Sequence, residues 1–144
     1  MTAYRIRESL DVHAPRQAVK ALAKQLGFES QVGQELAIVV SELASNIVKY
    51  GVSGSIELET LNHPDRGVGI AIVARDVGPV FNDFWMAMQD GCDDRGPIDP
   101  AQLIHRGGLG IGLGAVVRLT DSLDVEQRTG SKQIRAAKYL TIAR

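Results

Sequence analysis

A chain of 144 residues holds one domain with a real core and leaves little room for a second. Apolar residues make up 44% of it and charged residues 23%, and the formal net charge is -1. This composition gives no electrostatic case for nucleic acid or an anionic membrane as the main partner. The lone cysteine, Cys92, excludes an intramolecular disulfide framework and a cysteine-based zinc site.

Residues 5–12 alternate, with Ile6, Leu10 and Val12 on one side and Arg5, Arg7, Ser9 and Asp11 on the other, which reads as a half-buried strand. Before it, MTAYRIRESLDV lacks the apolar core of a signal peptide. Pro15 opens a helical pattern carried by Ala18, Val19, Leu22 and Leu26, and Gly27 is placed to stop it. A second helix is expected over about 34–50, with Leu36, Val39, Val40, Leu43 and Ile47 as its inward stripe and Gly51 at its end. Two strands follow, 55–61 and 68–75, joined by a hairpin-type connection from Asn62 to Gly67. A short aromatic helix is expected at 82–88, and the Gly-, Pro- and acid-rich stretch 89–100 reads as an exposed, mobile loop. A third helix, about 109–120, turns Leu113, Val116 and Val117 inward. Strands near 122–128 and 132–142 close the chain around a turn at Thr129, Gly130 and Ser131.

Strands come in sequential pairs, which disfavours a doubly wound parallel sheet. The expected architecture is a single-domain α/β two-layer sandwich, a mixed sheet covered on one face by helices. No run approaches the roughly 18 apolar residues of a membrane span, and the cytoplasm is the expected compartment.

Three motifs carry chemistry. On the second helix Glu42, Ser45, Asn46 and Lys49 stand at i, i+3, i+4 and i+7, so they share a face beside the apolar stripe. That pattern fits a solvated helix face. It also fits a carboxylate that accepts a hydroxyl proton next to an amide oxygen that holds Mg²⁺. Asp76 ends an apolar strand just before Gly78-Pro79; it suits a turn, or a buried carboxylate accepting a hydrogen bond from the exocyclic amine of adenine. From Gly107 to Gly114 there are five glycines in eight residues, ahead of a helix. They suit a hinge or close helix packing, or a run of amides aimed at phosphate oxygens. GxxxxGK[ST] is absent, and no strand precedes the formal GxGxxA match at Gly110, so P-loop and dinucleotide folds are rejected. His13, His63 and His105 have no ligand spacing.

Taken together, Glu42-Leu43-x-x-Asn46-x-x-x-Tyr50-Gly51, Asp76-x-Gly78-Pro79 and Gly107 through Gly114 resemble the boxes of the GHKL (Bergerat-fold) ATPases. The first glycine box carries Val80 where a second glycine is usual. Small size and the later RLTD and KYL segments most resemble the serine/threonine kinases of bacterial partner-switching modules, stressosome switch kinases above all. The resemblance implies ATP-dependent, Mg²⁺-assisted phosphorylation of STAS-domain proteins, a stressosome scaffold or antagonist, by a monomer that then acts on a downstream activating target. It implies Glu42 as general base and Arg106 at the terminal phosphate. Asn46 would hold Mg²⁺, Asp76 would bind adenine, and Lys49, Gly78, Gly107, Gly108, Leu109, Gly110 and Gly112 would line the nucleotide. Two alternatives stay open at this level: an anti-sigma factor with kinase activity, and a non-catalytic ATP-binding module that sequesters a regulator.

Overall fold

The computed structural model describes residues 2–50, 53–77, 92–93, 96–97, 113–128 and 130–140, with backbone alone at Tyr50, 92–93 and 96–97. The elements are β1 (Thr2–Ile6), a 3-10 turn (Ser9–Val12), α1 (His13–Leu26), α2 (Ser30–Tyr50), β2 (Ser53–His63) and β3 (Gly67–Val77). After them come β4 (Cys92–Asp93), β5 (Gly96–Pro97), α3 (Leu113–Leu119), β6 (Ser122–Arg128) and β7 (Ser131–Tyr139). The short helix expected at 82–88 and the first residues of the helix expected from 109 lie outside the described residues. Within the stretch read as an irregular loop, β4 and β5 form a small antiparallel ladder.

The first strand is earlier and shorter than its alternation suggests. Local hydrogen bonds explain the difference: the Asp11 carboxylate accepts from the backbone N–H of Arg7 (2.8 Å) and of Glu8 (3.1 Å). The Glu8 side chain completes a reciprocal cap, and the chain turns instead of continuing a ladder. Those same amide donors hold the Asp11 carboxyl below its ordinary pKa. Leu10, expected inward, is thereby left 70% exposed, whereas Ile6 is fully buried.

α1 ends as its glycine suggests. Gly27 has φ of 95°, and the N–H of Phe28 reaches the Ala23 carbonyl at 2.9 Å while that of Gly27 reaches Lys24 at 3.1 Å. This is the two-bond stop that spares the last carbonyls of a helix, and it turns Phe28 into the core. α2 begins a turn earlier than expected. Gly33, a poor helix former, is held against α1, where a side-chain carbon would stand 3.7 Å from Ala23 Cβ.

Five strands form one sheet in the order β1-β2-β3-β7-β6, and every pairing is antiparallel. The mixed sheet expected from the sequence is therefore corrected. β3 and β6 run the same way, but β7 lies between them, so no two parallel strands become neighbours. The strands alternate cleanly in burial. Ile6, Ile56, Leu58, Ile70, Ile72, Ala74, Ile134 and Ala136 enter the core with the α2 stripe, while Glu57, Glu59, Arg75 and Arg135 lie on the opposite phase. On that phase Arg75 pairs with Glu57 and Gln133, and Arg135 with Glu59. α2 packs on α1, α3, β2 and β3, and α1 also touches β2 and β3, so the layer of helices covers the apolar face. On α3, Leu113 and Val116 are buried as expected, whereas Val117 is 45% exposed: a seven-residue helix presents only one face to the core.

α2 passes so close to β2 that Gly54 has no room for a side chain. A Cβ there would run into the Arg75 carbonyl oxygen and stand 2.9 Å from Ile47 Cγ2 and 3.0 Å from Asp76 Cβ. Gly54→Ala is expected to lower the free energy of unfolding by about 1–3 kcal/mol, read by urea denaturation. Wild-type stability in that variant would show that β2 can shift away from β3 without loss.

Candidate functional site

α2 brings two of the expected site residues together. Its apolar stripe lies on the sheet, and residues one position off that stripe are carried to the margin of the core. Glu42 is only 4% exposed there. One turn on, the Asn46 side chain has a buried Nδ2 with no hydrogen-bond partner. A buried amide end without a partner is costly and rare in a folded chain. Turning the amide over presents its oxygen at the same position, so the group suits an oxygen-seeking ligand equally well.

Lys49 lies elsewhere. It is exposed on the last turn of α2 and, with Ser45, Ser41, Arg16 and Glu8, lines a separate cavity of about 260 Å³. Glu42 does not line that cavity. Gly78, Arg106, Gly107, Gly108, Leu109, Gly110 and Gly112 fall outside the described residues.

Asp76 sits at the end of the central strand β3, on the inward phase, and is 7% exposed. Directly across the ladder stands Lys132 of β7, itself 4% exposed. The Lys132 ammonium lies 2.8 Å from one carboxylate oxygen of Asp76 and donates to the other at 3.1 Å. Both side chains are nearly inaccessible, so this is a buried ion pair in which solvent screens little. Burial pushes the Asp76 carboxyl above its ordinary 3.8, and the hydrogen bond and charge of Lys132 oppose that rise without cancelling it. Asp76, Lys132 and Gly54 share the wall of a cavity of about 600 Å³ at this end of the sheet. That volume lies within the range of small-molecule sites.

Sequence reasoning missed Lys132 and Gly54. A signal for the lysine existed: Lys132, Ile134 and Ala136 share one phase of β7, so a lysine on the apolar phase of a strand marks a buried charge. No comparable signal singled out Gly54, because only the approach of α2 excludes a side chain there.

A buried carboxylate and an under-partnered amide on one helix, facing an antiparallel sheet that ends in a buried acid, define a nucleotide-binding ATPase domain. Residues 8–138 match the histidine kinase-like ATPase domain, and the chain belongs to that family. The serine/threonine-protein kinase RsbT of Bacillus subtilis (strain 168) is 36% identical over 138 residues, 94% of this chain and 94% of the relative. By that likeness along nearly its whole length, this chain is a protein serine/threonine kinase. Two solved structures share its fold at 14% identity. They are the SiaB–SiaC complex from Pseudomonas aeruginosa (TM-score 0.56; 96% of this chain, 89% of that one) and full-length ShkA with AMPPNP (TM-score 0.55; 100% and 32%).

The buried pair allows a test of its energetics. Lys132→Met strands a carboxylate in the core and is expected to cost roughly 3–5 kcal/mol near pH 8. The loss should shrink as the pH falls, because protonating Asp76 removes the buried charge; the raised pKa places this relief above 3.8. A further Asp76→Leu change should restore most of the stability at every pH. Urea midpoints at several pH values check this, and equal losses in the single and double variants would contradict it.

Proposed function

We infer that the chain is an ATP-dependent protein kinase that phosphorylates a serine or threonine of STAS-domain proteins in a bacterial partner-switching module of the stressosome type. The observation that carries the reading is the pair on α2: a buried carboxylate, Glu42, one turn from an amide whose buried end has no partner. The likeness to a serine/threonine-protein kinase over 94% of both chains supports the reaction type. The family boxes support the STAS substrate and action in the cytoplasm. No helix among the described residues is long and apolar enough to cross a membrane.

The residues fit Mg-ATP. Asn46 would offer a hard oxygen to Mg²⁺, an ion that keeps most of its shell as water and phosphate oxygens. Among the described residues no three His, Cys, Asp or Glu side chains converge to cage an ion, which suits a metal shared with a nucleotide. When bound, Mg²⁺ would supply charge neutralisation at the phosphates. Asp76 would accept a hydrogen bond from the base, with Gly78 allowing close approach. Arg106 and the amides from Gly107 to Gly112 would surround the phosphates from the side opposite α2. Glu42 would accept the proton of the attacking hydroxyl. Phosphoryl transfer asks for position and charge balance more than covalent chemistry, and a base acting late need not be strongly perturbed.

Glu42→Gln keeps the shape and removes the base. Phosphate transfer to a STAS partner should fall roughly 10²–10⁴-fold, while nucleotide and partner binding stay near wild type. Transfer is measured with radiolabelled ATP and binding by calorimetry. Equal transfer by variant and wild type would remove Glu42 from the chemistry. Partner binding without any transfer in the wild type would replace the kinase by a sequestering module.

A further inference from the structure

The pairing of Lys132 with Asp76 changes what the base site can read, and the following inference rests on the nucleotide site proposed above. A carboxylate alone only accepts hydrogen bonds. It matches the exocyclic 6-amine of adenine and repels the carbonyl oxygen that guanine carries at the same position. Here the carboxylate does not stand alone. The Lys132 ammonium is held 2.8 Å and 3.1 Å from its two oxygens, across one register pair of β3 and β7, and both residues line the 600 Å³ cavity. Acceptor and donor therefore stand side by side on the wall that would face the base.

We propose that Lys132 is a base-selecting residue which, with Asp76, admits guanine and hypoxanthine nucleotides as well as adenine nucleotides. Adenine presents an amine next to an unprotonated ring nitrogen, and guanine presents a ring N–H next to a carbonyl oxygen. Each is a donor beside an acceptor, so each can meet a carboxylate beside an ammonium. A hydrogen bond from a charged donor favours the carbonyl oxygen, which removes the main penalty against guanine. Hypoxanthine shares guanine's ring N–H and carbonyl and lacks only the 2-amine, so it reports this pair of contacts alone. A site with an unpaired polar group rejects the wrong ligand far more strongly than one that satisfies both, and Lys132 is the group that makes the difference.

Calorimetry with ADP, GDP and IDP in the presence of Mg²⁺ tests this on the wild-type chain and on Lys132→Met and Lys132→Arg. In the wild type the Kd values for GDP and IDP should lie within about tenfold of that for ADP, a gap of roughly 1.4 kcal/mol. Lys132→Met should weaken GDP and IDP at least about tenfold more than ADP, while Lys132→Arg, which keeps a charged donor, should hold the wild-type ratio. A merely structural lysine would shift all three affinities together, and that result overturns the proposal. A wild-type preference for ADP wider than tenfold overturns it too, and this comparison decides the matter even if Lys132→Met does not fold. ADP binding with no guanine binding rejects only the role of Lys132. Binding of none of the three rejects the nucleotide site itself.

Discussion

Leu36, Val39, Val40, Leu43 and Ile47 of α2 are all at most 2% exposed against the inner face of the sheet. Each such side chain contributes about 1.5–3 kcal/mol relative to exposure, so together they set the azimuth of the helix beyond local dispute. Once that stripe is placed, the residues beside it have no choice of environment. Glu42 and Asn46 are carried to the margin of the core because their neighbours must be buried. The chemistry of the site is thus a by-product of a packing constraint, and it is rigid for the same reason.

The same constraint works at the far end of the sheet. α2 presses Ile47 toward Gly54, and Asp76 lies next in the row with Lys132 beyond it. A carboxylate at the end of the most buried strand cannot be hydrated freely. Its desolvation is offset by a lysine supplied from β7, the strand that the crossover inserts beside β3. In a low dielectric such a pair raises the stakes of every change nearby, since losing one partner costs more than the pair contributes. That buried polar groups sit where an ATPase of this family would read its base is the pattern expected of functional sites, where local stability yields to chemistry.

Structures with 14% identity share this architecture because its demands are on pattern and volume, not on particular residues. An antiparallel sheet with one apolar face and a long amphipathic helix laid on it satisfies those demands with many sequences. What differs among such chains is the polar set at the margins. The pair Asp76–Lys132 belongs to that variable layer, as does the position of Lys49 over a separate cavity.

The sequence by itself determined α1 and α2, the long hairpin, the closing strand pair, the stop at Gly27 and the boxes that mark the family. These follow from periodicities of 3.6 and 2 and from glycine's access to positive φ, which act within a few residues. It also placed Glu42 and Asn46 on one face, since helical spacing is local. Tertiary structure decided the rest. The first strand gave way to a turn because Asp11 captured two backbone amides, a competition that alternation does not register. The sheet became wholly antiparallel because β7 inserted between β3 and β6, and the order of strands is a long-range choice. Lys132 met Asp76 across 56 residues of chain, and no local pattern encodes which side chain stands opposite a buried acid.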